Sequence, residues 1–325
     1  MAWSFKSLEK HRLRRNLLIT LVGIIVLSIL PLFLDAERSY FIFFLYNIFL
    51  YVTMSTSWNI VSGYSGQFSL GHGAFFGLGA YVAAISWREG LTGYFDIRAF
   101  LLSAAISALM AAAIGYPLLA KLKGFYFALG TLALNEIFRL LAVNGGAFTG
   151  GAVGIQLPSR YYAGFATYYY AALLIMVISS LIVALLLKLK TGLNFIAVRD
   201  DEVAAESIGI HALHHKVLAF SLSAIPPALC GTVFAYYIFH IQPSSVFSAS
   251  WGLYPPLMSI LGGIGTIIGP IIGSVVIGSM VQLIEMFVGP IHPLVSGALL
   301  IILIVVLPKG ILGKIREKKK IKPFS

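Results

Sequence analysis

Residues 58–81 read W-N-I-V-S-G-Y-S-G-Q-F-S-L-G-H-G-A-F-F-G-L-G-A-Y. Six glycines and the polar side chains of Gln67, Ser69 and His72 fall inside a run otherwise apolar enough to lie in a membrane. Non-helical backbone survives at that depth only where protein or water covers it, so a cluster this dense predicts a broken or re-entrant helix near the midplane. Gly73 and Gly77, four apart, also make a small-x-x-x-small face on which a second backbone can pack closely. Two readings follow. In one, freed backbone groups together with Gln67, Ser69, Gly71, His72 and Gly73 form the polar part of a translocation pathway. In the other, the glycines only admit a neighbouring helix and His72 is buried and inert.

The rest of the chain agrees with a membrane setting. Of its 325 residues, 59% are hydrophobic and 11% charged, with a mean hydropathy of +0.91. That is more apolar surface than a soluble domain of this size can bury. The polar gaps are too short for a separate aqueous core, so residues 1–325 read as one transmembrane domain. The net charge of +11 does not indicate nucleic acid, because the basic residues gather at the two ends and in short loops.

Apolar runs occur at about 17–34, 40–61, 67–87, 99–120, 125–143, 165–187, 216–240, 251–265, 267–288 and 293–307. The fold class is therefore an all-α polytopic membrane protein with eight to ten transmembrane helices, some broken or re-entrant. Ten crossings put the N-terminal basic stretch 1–16, Lys121, Lys123, Lys188, Lys190 and the tail 308–325 on one side. By the positive-inside rule that side is the cytoplasm, with both termini in it. The segments 88–98, 144–164 and 241–250 then face out. Division at the glycine-rich segment 144–164 leaves five crossings in each half, which predicts an inverted repeat.

A second glycine cluster, L-G-G-I-G-T-I-I-G-P-I-I-G-S at 261–274, places Gly265, Gly269 and Gly273 four apart. It reads as a tight helix–turn–helix or a close helix interface. No lysine follows in a G-x-x-x-x-G-K-[ST] arrangement, so this is not a phosphate-binding loop.

The longest polar stretch, K-L-K-T-G-L-N-F-I-A-V-R-D-D-E-V-A-A-E-S-I-G-I-H-A-L-H-H-K at 188–216, holds Asp200, Asp201, Glu202 and Glu206, four of the chain's 12 acids. Asp200 and Asp201 can cap a short helix and Gly209 can end it. Ala204 and Ile208 share a face, with Ala205 beside them, and Glu202 and Glu206 form a polar stripe. A capped two-turn helix of this kind suits docking on a partner.

The run Ala204, Ala205, Gly209 resembles the coupling loop of ABC importer permeases, which docks on the ATPase subunit. Val203 stands where that loop usually carries Glu, and the acid is Glu202. The 58–81 stretch, followed by R-D-D-E-V-A-A-E-S-I-G-I at 199–210, the second glycine cluster and L-P-K-G-I-L-G at 307–313, resembles the LivM side of the LivM/LivH permeases of branched-chain amino acid importers. Urea and short-amide permeases share these signatures. The resemblance implies a transport subunit rather than an enzyme, in the cytoplasmic or inner membrane. It would work with a second, LivH-like permease, two ATPases that bind ATP and magnesium, and an extracytoplasmic binding protein. It also implies that Arg199, Asp200, Glu202, Ala204, Ala205, Ile208 and Gly209 couple to the ATPase. The chain itself would need no cofactor.

Ionisable residues within the spans are few. Glu136 and Arg139 sit three apart and can neutralise one another or meet substrate; Glu285 lies near an outer end. The spans hold no chain of acids for a proton relay, which weakens a secondary carrier. His211, His214 and His215 flank the polar stretch without metal-ligand spacing, and Cys230 has no partner for a disulfide. An integral-membrane enzyme would need a polar constellation that the sequence does not offer.

Overall fold

The computed structural model describes residues 20–288. The expectations for 1–16, for the run 293–307, for the tail 308–325 and for the Glu285 side chain fall outside the described residues.

Nine of the ten apolar runs coincide with helices: α1 (Thr20–Phe33), α2 (Tyr40–Asn59), α3 (His72–Arg88), α4 (Ile97–Lys121), α5 (Phe125–Asn144), α7 (Phe165–Leu186), α10 (Ala212–Ile238), α12 (Ala249–Gly262) and α13 (Ile268–Val288). Between them lie the short helices α6 (Gly146–Thr149), α8 (Lys190–Asp200), α9 (Glu202–Ser207) and α11 (Pro243–Val246), and the two-residue strands β1 (Ile155–Gln156) and β2 (His240–Ile241). Among the described residues, five helices are long and apolar enough to cross a membrane: α2 with its extension to Tyr64, α4, α5, α7 and α10.

α2, α3 and α10 form the centre. Their sequences are apolar around most of the circumference, and helices of that kind belong inside a bundle. α10 packs on α3 and α4, and α2 packs on α7, α13 and α12. Close approach is set by glycine where α3 crosses α10: a Cβ on Gly79 would strike the Ala228 carbonyl, and one on Gly231 the Phe76 carbonyl. Pro227 cannot donate to the carbonyl of Ser223 one turn back, and Ser57 of α2 fills the gap, donating its hydroxyl to that oxygen at 2.5 Å. The outer faces of α4 and α7 expose Leu101, Leu109 and Leu174, as lipid-facing surfaces do.

The loops collect at two ends. At one, which holds every lysine among the described residues, lie the α2–α3 connection, the α4–α5 turn, α8 and α9, and the α12–α13 turn. At the other, β1 pairs antiparallel with β2 (Ile155 opposite Ile241), and Trp87, Tyr94, Phe95, Tyr161, Tyr236 and Phe239 stack on one another. These are called the lysine end and the aromatic end below. The two halves share a pairing pattern: α3 lies on α10 and α4, while α12 lies on α2 and α13.

Candidate functional site

The helix break falls within the stretch that decided the fold. α2 ends at Asn59, continues as a π-helical turn over Ile60–Tyr64, and the chain then runs without helix until α3 starts at His72. Side chains capture the backbone groups released there. Ser62 donates to the Gln67 carbonyl at 2.9 Å and accepts from the Ser69 amide at 3.2 Å; the Trp58 indole donates to the Ser69 carbonyl at 2.6 Å. The Leu70 amide donates to the Thr131 hydroxyl of α5 at 2.9 Å.

At 1.5 Å per residue, the 17-residue α3 reaches about 25 Å inward from the aromatic end and the 14-residue α12 about 21 Å from the lysine end. Both therefore begin inside the bundle, and their N-termini meet where Gly73 faces the backbone of Gly252 and Trp251. A Cβ on Gly252 would lie 2.7 Å from the Leu70 carbonyl. Asn135 of α5 closes this meeting point: its amide donates to the Phe247 carbonyl at 2.9 Å, and its Oδ1 has no partner among the described residues. Nor, among the described residues, does either ring nitrogen of the fully buried His72 have a hydrogen-bond partner.

Of the expected pathway residues, Ser69, Gly71, His72 and Gly73 are buried and Gln67 is half-buried. Three open cavities among the described residues, of about 530, 320 and 670 Å³, are lined by none of them. The segment is enclosed from Ser69 to Gly73, apart from a half-buried Leu70, while Gly66 and Phe68 reach the surface.

The polar stretch folds as two helices, not one. Asp201 leaves helical geometry and caps α9, its Oδ1 accepting from the Ala204 amide at 3.0 Å. Asp200 does not cap; it takes two bonds from the Arg199 guanidinium, at 2.9 and 2.7 Å. At the other end Gly209 is left-handed at φ +88°, its amide donating to Glu206 O while Ile210 donates to Ala205 O. That is a Schellman termination, which needs a residue tolerant of positive φ.

The face expected from Ala204, Ala205 and Ile208 needs correction. Ala205 is buried against Val198 and Ala212 of its own chain, because one residue turns about 100° round a helix. The outward surface is Val203, Ala204 and Ile208, with Val203 77% and Ile208 75% exposed. Glu202 is not free either: its carboxylate pairs at 2.7 Å with Lys216 of α10, which is only 4% exposed. His215 bonds Asn194 and the His211 carbonyl.

Arg199 joins the three stretches that the sequence singled out. Its Nη1 donates at 2.9 Å to the carbonyl of Gly63, in the π-turn of α2. Gly265 lies against the same guanidinium and the same carbonyl, so it serves the α12–α13 turn, at φ +70°, rather than a helix interface. Asn59 completes the junction by accepting from the Gly265 amide at 2.9 Å and donating to the Thr266 carbonyl at 2.8 Å. Gly269 and Gly273 do lie in a helix contact, against the backbone of Gly263 and of Met258; Gly77 packs on the Phe247 ring. Sequence reasoning passed over Asn59, Thr131, Asn135, Lys216 and Thr266. A polar side chain deep in an apolar run was the available signal for Asn59, Thr131 and Asn135; nothing local marked Lys216, which sits at a helix start like any surface lysine.

Two helices that begin inside a helical bundle with their N-termini in contact, and a capped helix presented at one end, fit a membrane permease. Residues 40–306 match the family model described as branched-chain amino acid transport system / permease component, and the chain belongs to that family. It is a permease subunit of the ABC importer type. It is 29% identical over 306 residues to the high-affinity branched-chain amino acid transport system permease protein LivM of Escherichia coli (strain K12), covering 84% of this chain and 70% of that relative. It is 32% identical over 124 residues to LivH of the same strain, covering 38% and 40% of the two chains. Over 159 residues it is 29% identical to the autoinducer 2 import system permease protein LsrC of Salmonella paratyphi B, covering 47% and 45%. No solved structure matches it significantly.

Proposed function

We propose that this chain is one of two different permease subunits of an importer for branched-chain or related amino acids, set in the cytoplasmic membrane with its lysine end in the cytoplasm. Two ATPase subunits hold the ATP and magnesium, and one of them docks on α9 of this chain. An extracytoplasmic binding protein delivers substrate at the aromatic end. The lysine distribution supports the orientation, and the likeness to LivM supports the substrate class.

One observation carries the coupling: α9 is capped at both ends and anchored inward by Ala205, yet among the described residues it exposes Val203, Ala204 and Ile208. Docking there would push on α8, and through Arg199 on the broken segment and the α12–α13 turn. Replacing Ile208 by Glu tests this. The variant should insert normally but fail to co-purify with the ATPases; undiminished co-purification and uptake would refute the docking site.

The likeness to LsrC, named for import of a different class of molecule, favours keeping substrate identity open to measurement. Uptake assays with leucine, isoleucine, valine, urea and short amides on the complete importer separate the amino acid reading from the amide one.

A further inference from the structure

α5 presents two dissimilar faces. One, carrying Phe127, Thr131, Leu134, Asn135, Phe138 and Ala142, is buried against the bundle. The other exposes Leu129, Leu132, Ile137 and Leu140, and among them the Glu136 and Arg139 side chains, 53% and 34% exposed. Glu136 is the twelfth residue of a 20-residue span, so it lies about 17 Å along a helix of about 30 Å. This is close to the middle of the hydrocarbon layer.

A charged pair at that depth does not face lipid without a large cost, and intramembrane ionisable groups face protein or water. The other buried-end pair of this chain shows what self-neutralisation looks like: Lys216, bound to Glu202, is 4% exposed and shut inside its own fold. Glu136 and Arg139 instead bond only each other among the described residues, with Nε at 2.9 Å and 3.1 Å from the two carboxylate oxygens. Their helix also supplies Thr131 and Asn135, which hold the broken segment and the meeting point of α3 and α12. Leu70 and Gly71 of that segment lie against Thr131 of the same helix.

We propose that this face of α5 lines the translocation pathway and that the Glu136–Arg139 pair is a subsite for a zwitterionic α-amino acid. The Glu136 carboxylate receives the α-ammonium and the Arg139 guanidinium receives the α-carboxylate. The exchange keeps the site neutral throughout, because an ion pair opens to admit a substrate that is itself an ion pair. This deepens, and rests on, the amino acid importer reading above.

The complete importer, reconstituted with its partner permease, ATPases and binding protein, tests the proposal. Glu136→Gln and Arg139→Gln should each raise the KM for leucine uptake at least tenfold, with ATPase activity retained. The exchanged variant, Glu136→Arg with Arg139→Glu, keeps the pair neutral but inverts it, and should not recover the wild-type KM. Recovery in the exchanged variant would show that the pair only neutralises itself and would overturn the subsite. If a charge variant fails to assemble, Leu132→Cys and Leu140→Cys in a Cys230→Ser background give a second readout. A water-soluble thiol reagent should modify them, and leucine should slow the reaction; modification by lipid-soluble reagent alone overturns the proposal. Absence of leucine uptake by the unmodified importer is a different result, and refutes the importer reading itself.

Discussion

The aromatic end and the lysine end are held together by different physics. At the aromatic end, Trp87, Tyr94, Tyr168, Tyr236 and Phe239 pack ring on ring, β1 bonds β2, and Arg88 donates to the carbonyls of Ala147 and Phe148. At the lysine end, glycine backbones touch and a few directed bonds from Asn59, Arg199 and Thr266 join one element to the next. Ring packing adds many small contacts and so resists sliding. A few bonds to carbonyl oxygens can be exchanged without unpacking a core. We therefore expect the aromatic end to be the fixed end and the lysine end the one that yields.

The contrast is sharpest where a side chain is forced onto touching backbones. Gly273→Leu places a Cβ against the Met258 carbonyl, where only rigid backbone is available to move. We expect no detergent-stable protein, since overpacking alone costs about 1–3 kcal/mol even where side chains can shift. Size-exclusion chromatography of the solubilised variant checks this; a monodisperse peak of normal yield would break the account of the lysine end as a backbone contact.

Next in size is the Glu202–Lys216 pair. Glu202→Gln leaves a buried ammonium unpaired, a loss of about 3 kcal/mol, at the low end for buried pairs because Glu202 is itself partly exposed. Adding Lys216→Met should restore most of the lost thermal stability. A single Gln variant melting at the wild-type temperature would show that the pair does not hold α9 to α10.

Smaller still, Asp201→Ala removes the α9 cap and should cost about 1 kcal/mol, read as faster hydrogen exchange confined to residues 202–207. At the fixed end, Tyr94→Phe removes the hydroxyl contact with Tyr168. One hydrogen bond of about 1 kcal/mol among many ring contacts should leave uptake unchanged. Lost uptake there would contradict the assignment of the fixed end.

Much of this was legible in the sequence, for reasons that differ by region. Hydropathy located nine helices of the described bundle because each apolar face must meet either lipid or protein. The glycine and serine density at 58–81 pointed to the break, because clusters this dense often mark one, and Gly209 marked the end of α9. What escaped was long-range. The pairing of Lys216 with Glu202, the seating of Gly265 against Arg199 and the closure of the α3–α12 meeting point by Asn135 each join residues far apart in the chain. The inward turn of Ala205 escaped for another reason: spacing gives relative direction on a helix but not which side the bundle lies on.

We propose that Arg199 carries motion of the docked segment to the broken segment through Gly63 and to the α12–α13 turn through Gly265. Arg199→Ala in the reconstituted importer tests it most directly, with ATP hydrolysis and substrate uptake measured on the same vesicles. The account predicts an assembled complex that still hydrolyses ATP while uptake falls at least tenfold. Uptake and hydrolysis that both remain at the level of the unmodified importer would contradict it.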